Sequence, residues 1–432
     1  MTGNTEGGAL KPSYRNVLAF PGHTTWYVAA ALVRAPVVMA PLALVFLGYT
    51  AQSFTVGGML AATHALGEAA AAPFMGRRFD TRPFTRQLRL ALSIEALVFA
   101  ALAISAARAP LPALLALAFL AGAAASGAPG GMRAQLSATT PEHLRPTALS
   151  LESFLGQSVW AIAPPLASLL YAQFSAVGAL LVMAAFSAAP VLFAHRIPHT
   201  APAPPDTAQN QHLVRTASLL RLAWPTALLS AAIMFLIGTA DVLLPARLQD
   251  TGASPALAGP VMTAFALASA LAALLYGIRR WPGTPWGQTL ALLPAVTAVF
   301  ALPALTDNPW GLAAVFAIGG FLYSPLMVIR NLALQQRLPQ PAWATGFSLL
   351  YAAAGLGYGA AGLMGAILLH IADSATAFLA CAVTTGLFGV ASLIGERLSS
   401  PRTLTAVPNS TPLAAAQATT PPPGIQHRRT VG

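Results

Sequence analysis

Apolar runs separated by short clusters of Arg, Pro and Gly occupy almost the whole chain. They fall near residues 24–48, 52–75, 88–107, 111–134, 148–171, 176–195, 219–244, 256–278, 288–306, 310–330, 345–370 and 375–395. A helix of about 20 residues crosses the roughly 30 Å hydrocarbon core of a bilayer. The pattern therefore predicts an all-α integral membrane protein with twelve transmembrane helices. An even number of crossings puts both ends on one side.

The polar stretches between the runs set the organisation. Residues 1–23 form an N-terminal segment with no charged region leading a cleavable apolar core, so the first run reads as an uncleaved insertion signal. Residues 197–217 carry His-Thr-Ala-Pro-Ala-Pro-Pro-Asp and read as an extended linker between two sets of six helices, 24–196 and 218–395. The halves echo one another. Gly76-Arg77-Arg78 recurs as Gly277-Ile278-Arg279-Arg280, and Pro129…Arg133 recurs as Pro325…Arg330, both at an offset of about 200, as a duplicated six-helix unit would leave them. The expectation is two pseudo-symmetric six-helix bundles. Residues 396–432, rich in Pro, Thr, Ser and Gln, read as a disordered cytoplasmic tail.

Composition and charge agree. The chain is 56% hydrophobic and 8% charged, with a mean hydropathy of +0.66, far below the roughly 25% charge of soluble domains. Its net charge of +11 comes from 23 basic residues scattered between apolar runs, with no clustered stripe of the kind nucleic acid requires. Twenty of them fall on the face that holds the termini. Arg108 and Arg247 fall on the other, and Arg34 lies inside the first run. The bias puts both termini in the cytoplasm of a multi-pass protein of the cell (inner) membrane. Cys381 is the single cysteine and stands in an apolar run, which excludes a disulfide framework or a Cys-based metal site. No Walker-type phosphate loop, His-Glu-x-x-His or paired-aspartate motif occurs, so neither enzyme chemistry nor a cofactor is expected.

The stretch Pro73-Phe74-Met75-Gly76-Arg77-Arg78-Phe79-Asp80-Thr81-Arg82-Pro83 resembles the signature loop between helices 2 and 3 of the major facilitator superfamily of transporters. Ala161-Ile162-Ala163-Pro164-Pro165 looks like the Gly-Pro element that exporters of that family carry in helix 5. Leu32-Val33-Arg34-Ala35-Pro36 and Leu149-Ser150-Leu151-Glu152-Ser153 resemble segments of a poorly characterised exporter-like group from high-GC bacteria. Three positions depart from the pattern: Pro83 replaces a glycine, Phe84 a basic residue and Gly346 a frequent glutamate. The resemblance implies a secondary transporter working by alternating access, a proton-coupled exporter of a small amphipathic molecule. An importer or uniporter of a small metabolite, or a non-transporting scaffold or sensor, is the alternative. The partners implied are a small-molecule substrate, protons and the lipid bilayer, with the protein acting as a monomer.

The family pattern makes Gly76, Arg77, Asp80, Arg82, Arg133 and Glu152 a gating latch, in which Asp80 pairs with arginines at the cytoplasmic mouth. A solvated surface network contributing little is the plainer reading. Ionisable groups inside the spans are Arg34, His64, Glu68, Glu95 and Asp241, each costing at least about 2.5–3.5 kcal/mol to insert. Arg34 lies about 15 Å into the first span at 1.5 Å per residue, within reach of Glu95. His64 and Glu68 share a helical face. Each is either a structural ion pair or a proton or substrate site. Pro164 and Gly355, Gly359 and Gly362 are expected at helix contacts, where kinks and small residues let helices pack closely.

Overall fold

The computed structural model describes residues 13–51, 54–106, 108–199, 216–254 and 257–399. The segment 1–12, most of the linker and the tail from residue 400 lie outside the described residues. Among the described residues, thirteen α-helices carry the fold. In chain order they are α1 (Tyr14–Leu18), α2 (His23–Ala51), α3 (Phe54–Thr81), α4 (Phe84–Ser105), α5 (Leu111–Ala125), α6 (Ala128–Thr139) and α7 (Arg145–Phe193). After the linker come α8 (Thr216–Asp250), α9 (Ala258–Gly277), α10 (Pro285–Ala301), α11 (Pro309–Arg337), α12 (Trp343–Ile371) and α13 (Ser374–Leu398).

These helices make twelve crossings. Ten stretches among the described residues are long and apolar enough to span a membrane. One of them, Glu142–Arg196, is 55 residues long and holds two crossings. They meet at Ser175, whose φ of +73° no helix tolerates. The twelfth crossing is α3, whose His64 and Glu68 lower its hydropathy. In hydrocarbon every backbone polar group must be bonded within the chain, which is why apolar runs resolve into helices.

The boundaries depart from expectation where polar residues prolong a helix beyond its apolar run. The stretch 73–83 that resembles the signature loop is helical except at Arg82 and Pro83, which alone join α3 to α4. The fourth crossing is broken between α5 and α6. Pro260 stands in the first turn of α9, where its missing N–H leaves no bond unmade.

In the first half α2 packs on α7 and α3 on α5; in the second, α8 packs on α12 and α9 on α11. The duplication is visible at the closest approaches. Gly122 of α5 lies against the His64 carbonyl of α3, and Gly320 of α11 lies against the Phe265 carbonyl of α9, where a Cβ would collide with backbone. Many large apolar side chains stay exposed, among them Leu97, Ile104, Leu192, Leu267 and Leu387. Such a surface suits lipid and not water.

The buried clusters show how the halves meet. Met39, Leu44, Leu60, Phe99 and Leu102 belong to a core of the first half alone. Leu236, Leu244, Phe300, Phe316 and Phe378 belong to a core of the second half alone. A third core unites Trp26, Phe79, Leu88 and Leu136 with Leu334, Trp343, Phe347 and Leu350. It lies toward the face where α2 begins and α13 ends, called here the terminal face. The halves are fused at that face and have separate cores toward the opposite one.

Candidate functional site

At the terminal face the seam is closed by hydrogen bonds as well as by apolar packing. The start of α12 has Ala342 at its N-cap, which offers no side-chain acceptor to the free N–H groups of the first turn. Asp80, at the end of α3 in the other half, supplies one. Its carboxylate accepts from the N–H of Ala344 at 2.9 Å and of Thr345 at 2.8 Å, and from the Thr345 hydroxyl. The anion also meets the positive end of the α12 dipole. Nearby, Tyr14 donates to the Leu274 carbonyl, Thr147 to the Gly277 carbonyl at 2.6 Å, and Gln335 to Ser137 at 2.9 Å. Arg145 lies over the Trp343 ring at 5.4 Å.

The expected latch is thus divided. Asp80 joins the halves through backbone N–H groups of α12, not through arginines. Gly76 lies beside it, packed against Ser348 and the Ala344 carbonyl. Arg77 and Arg82 are exposed. Arg133 and Glu152 do pair, at 2.5 Å from Nη2 to Oε1, but both belong to the first half.

Deeper along the seam lies a cluster of charge. Glu152 of α7 is 3% exposed and takes both Arg34 of α2 and Arg133 of α6. The expected Arg34–Glu95 pair is not formed, because Glu152 takes Arg34. Glu95 bonds Ser187 within the first half. His64 is buried against Phe99, with ring centroids 6.2 Å apart, instead of engaging Glu68. Glu68 reaches across to Tyr351 of α12.

Arg330 escaped the sequence reading, which ended its span at that residue. In fact α11 runs on to Arg337, so Arg330 is buried at 4% exposure, donating to Ser230 at 2.8 Å and Asn331 at 3.2 Å. Its signal was available: Met-Val-Ile precedes it and Asn-Leu-Ala follows.

Toward the opposite face the halves part. Ser153 of α7 meets Ser324 of α11 at 3.3 Å, and Gln157 bonds Tyr323. One turn on, Trp160 faces Tyr358 of α12 with ring centroids 6.5 Å apart. Tyr358 donates to Asp241 of α8 at 2.7 Å. A Cβ at Gly156, Gly355, Gly359 or Gly362 would meet no atom within 4 Å. The last three are therefore not the helix-packing residues expected from their spacing. Gly357 is, lying against Ala231 of α8. By the helical period Gly355 and Gly362 share the face of Tyr351 and Tyr358, so they line the gap between the halves. Pro164 lies inside α7 beyond Trp160.

The sequence profile of the Major Facilitator Superfamily matches residues 26–246, more than half of the chain. No curated protein sequence matches. Among solved structures, the human organic anion transporter MFSD10 (TETRAN) is 17% identical with a TM-score of 0.66, covering 89% of this chain and 100% of that one. A bacterial homologue of the iron transporter ferroportin, in its outward-facing state, is 14% identical with a TM-score of 0.62 over 88% and 99% of the two chains. The proton:xylose symporter XylE is 13% identical with a TM-score of 0.64 over 86% and 94%. These likenesses are of fold. With its first seven spans matched by the profile and the two-bundle architecture shared throughout, the chain belongs to the major facilitator superfamily.

Proposed function

We propose that the chain is a proton-coupled exporter that moves a small amphipathic molecule by alternating access, as a monomer of the cell (inner) membrane with both termini cytoplasmic. It would then stand with the exporter-like bacterial group that its Arg34 and Glu152 segments resemble. The observation that carries the reading is the asymmetry of the seam. Shared core and hydrogen bonds join the halves at the terminal face, while glycines, Trp160, Tyr358 and Asp241 line a gap toward the other. Rocking one half on the other would exchange the closed end for the open one. The outward-facing ferroportin homologue shares this fold, which is consistent with a cargo path between the halves.

Glu68 and Asp241 are the proposed proton carriers. The Glu68–Tyr351 bond crosses between halves, so its environment changes whenever they move. Asp241 has no arginine partner among the ion pairs of the described residues. A carrier must bind a proton differently in the two conformations, which a carboxylate fixed by a permanent cation does poorly. In proteoliposomes, an imposed pH gradient should drive accumulation of substrate, with counterflow of protons. Glu68→Gln and Asp241→Asn should each abolish the gradient-driven phase, and Glu68→Gln should leave exchange of substrate intact. Normal accumulation with a normal pH response in both variants would overturn proton coupling through these groups.

A further inference from the structure

Asp241, Tyr358 and Trp160 come from three helices and both halves, and they meet at one depth. Trp160 and Tyr358 each stand 15 residues beyond the first residue of their helix, about 22 Å at 1.5 Å per residue. Trp160 is 54% exposed and Tyr358 36% exposed. That exposure faces the gap and not lipid, because Ser153, Gln157 and Trp160 form one face of α7 and contact Ser324, Tyr323 and Tyr358 in turn. Small residues adjoin both rings. Gly156 is one turn before Trp160, and Gly355 and Gly362 flank Tyr358, all with open space where a side chain would stand.

The carboxylate beside these rings lacks a countercharge. The Asp241 side chain accepts one hydrogen bond, from Tyr358. Other charged or titratable groups on the helices packed against α8 are committed elsewhere. Arg247 holds Asp307 and three carbonyls, and Arg330 bonds Ser230 about 16 Å further along α8. Cys381 is buried against Thr239, and His370 stands twelve residues past Tyr358 on α12. A carboxylate within a span calls for a cation, either a proton or a ligand. The ring of Tyr358, whose hydroxyl it holds, and the ring of Trp160 beyond it attract the same charge through their quadrupoles.

We propose that Asp241, Tyr358 and Trp160 form a binding site for an amphipathic organic cation, gripped between the two halves. The proposal rests on the transporter reading for its purpose and deepens it by naming the substrate class. One carboxylate cannot hold a proton and an ammonium or phosphonium at once. Binding of proton and cation at this site is therefore mutually exclusive, which is the linkage an antiporter needs.

The test uses two probes of one shape and opposite charge, tetraphenylphosphonium and tetraphenylborate, binding to the purified full-length protein in nanodiscs without any gradient. The phosphonium should bind saturably and the borate should not. Phosphonium affinity should fall as pH is lowered, with the pH dependence lost in Asp241→Asn. Asp241→Asn and Trp160→Leu should each weaken it about tenfold, while both variants elute as wild-type on size exclusion. Equal binding of the two probes, no phosphonium binding, or unchanged phosphonium affinity in both variants would overturn the site. Gradient-driven transport in proteoliposomes then separates the two claims. Binding at Asp241 without any transport refutes the transporter reading alone, whereas transport with the binding results reversed refutes the site alone.

Discussion

Replacing Asp80 by asparagine tests the closed seam most directly. The carboxylate receives three hydrogen bonds from the first turn of α12, two of them on one oxygen. Hydrogen bonds to a charged group contribute about 1.5–3 kcal/mol each and neutral ones about 0.5–1.5 kcal/mol. Asparagine can keep neutral versions of the two bonds to Thr345, but its amide then points an N–H at the N–H of Ala344. The variant also loses the charge that meets the helix dipole, about 0.3–1 kcal/mol. Losing one charged bond and weakening the other two by about 1 kcal/mol each gives, with the dipole, a net loss of about 4–6 kcal/mol, which shifts the balance between joined and parted halves by about 700- to 20,000-fold. The shift reads out as a distance. Spin labels at Arg86→Cys and Gln340→Cys, exposed positions on either side of the seam, in a Cys381→Ala background, should report a longer and broader distribution in Asp80→Asn by pulsed electron resonance. Membrane insertion should survive. Superimposable distributions with and without the substitution would refute the assignment of Asp80 as the clasp.

Glu152→Gln leaves Arg34 and Arg133 without their shared countercharge, and breaking a buried pair costs about 3–5 kcal/mol; the melting temperature in detergent should drop clearly, and an unchanged value would show that the cluster is hydrated. Gly357→Ala should destabilise the protein by pushing α12 off the Ala231 backbone, whereas Gly359→Ala, in open space, should melt as wild-type; the reverse order would mean that the α8–α12 contact is misassigned. Reporter fusions after Leu398 should read cytoplasmic and after Asp307 external, and a cytoplasmic signal at Asp307 would break the proposed orientation.

Run length and positive charge made the twelve crossings legible from sequence, because the bilayer imposes a fixed thickness on every span. Depth along a helix was legible too: Arg34, Glu68 and Glu95 do lie inside spans. Direction around the helix axis was not. Arg34 was matched to an acid at the right depth, Glu95, yet it turns to Glu152 on another neighbour. Asp80 stood out by its motif, but its partners are main-chain N–H groups 264 and 265 residues away, which no residue type announces. Spacing alone selected Gly355 and Gly359, and Gly357 between them makes the contact. Arg330 was lost to a boundary drawn one helical turn and more too early.

The seam at the terminal face is built unevenly. Tyr14, ahead of the first half, and Asp80 and Thr147 within it offer side chains, and the second half answers mostly with the backbone of Leu274, Gly277, Ala344 and Thr345, adding the Thr345 hydroxyl and the Gln335 amide. Genetic drift therefore weighs differently on the two halves. A substitution in the first half can delete a clasp outright, whereas most substitutions at the answering positions of the second leave the peptide group, and so the clasp, where it was. A library of random variants screened for a leaky terminal face should draw its hits mainly from the first six spans, and the second six would be the freer ground on which a lineage could change its cargo.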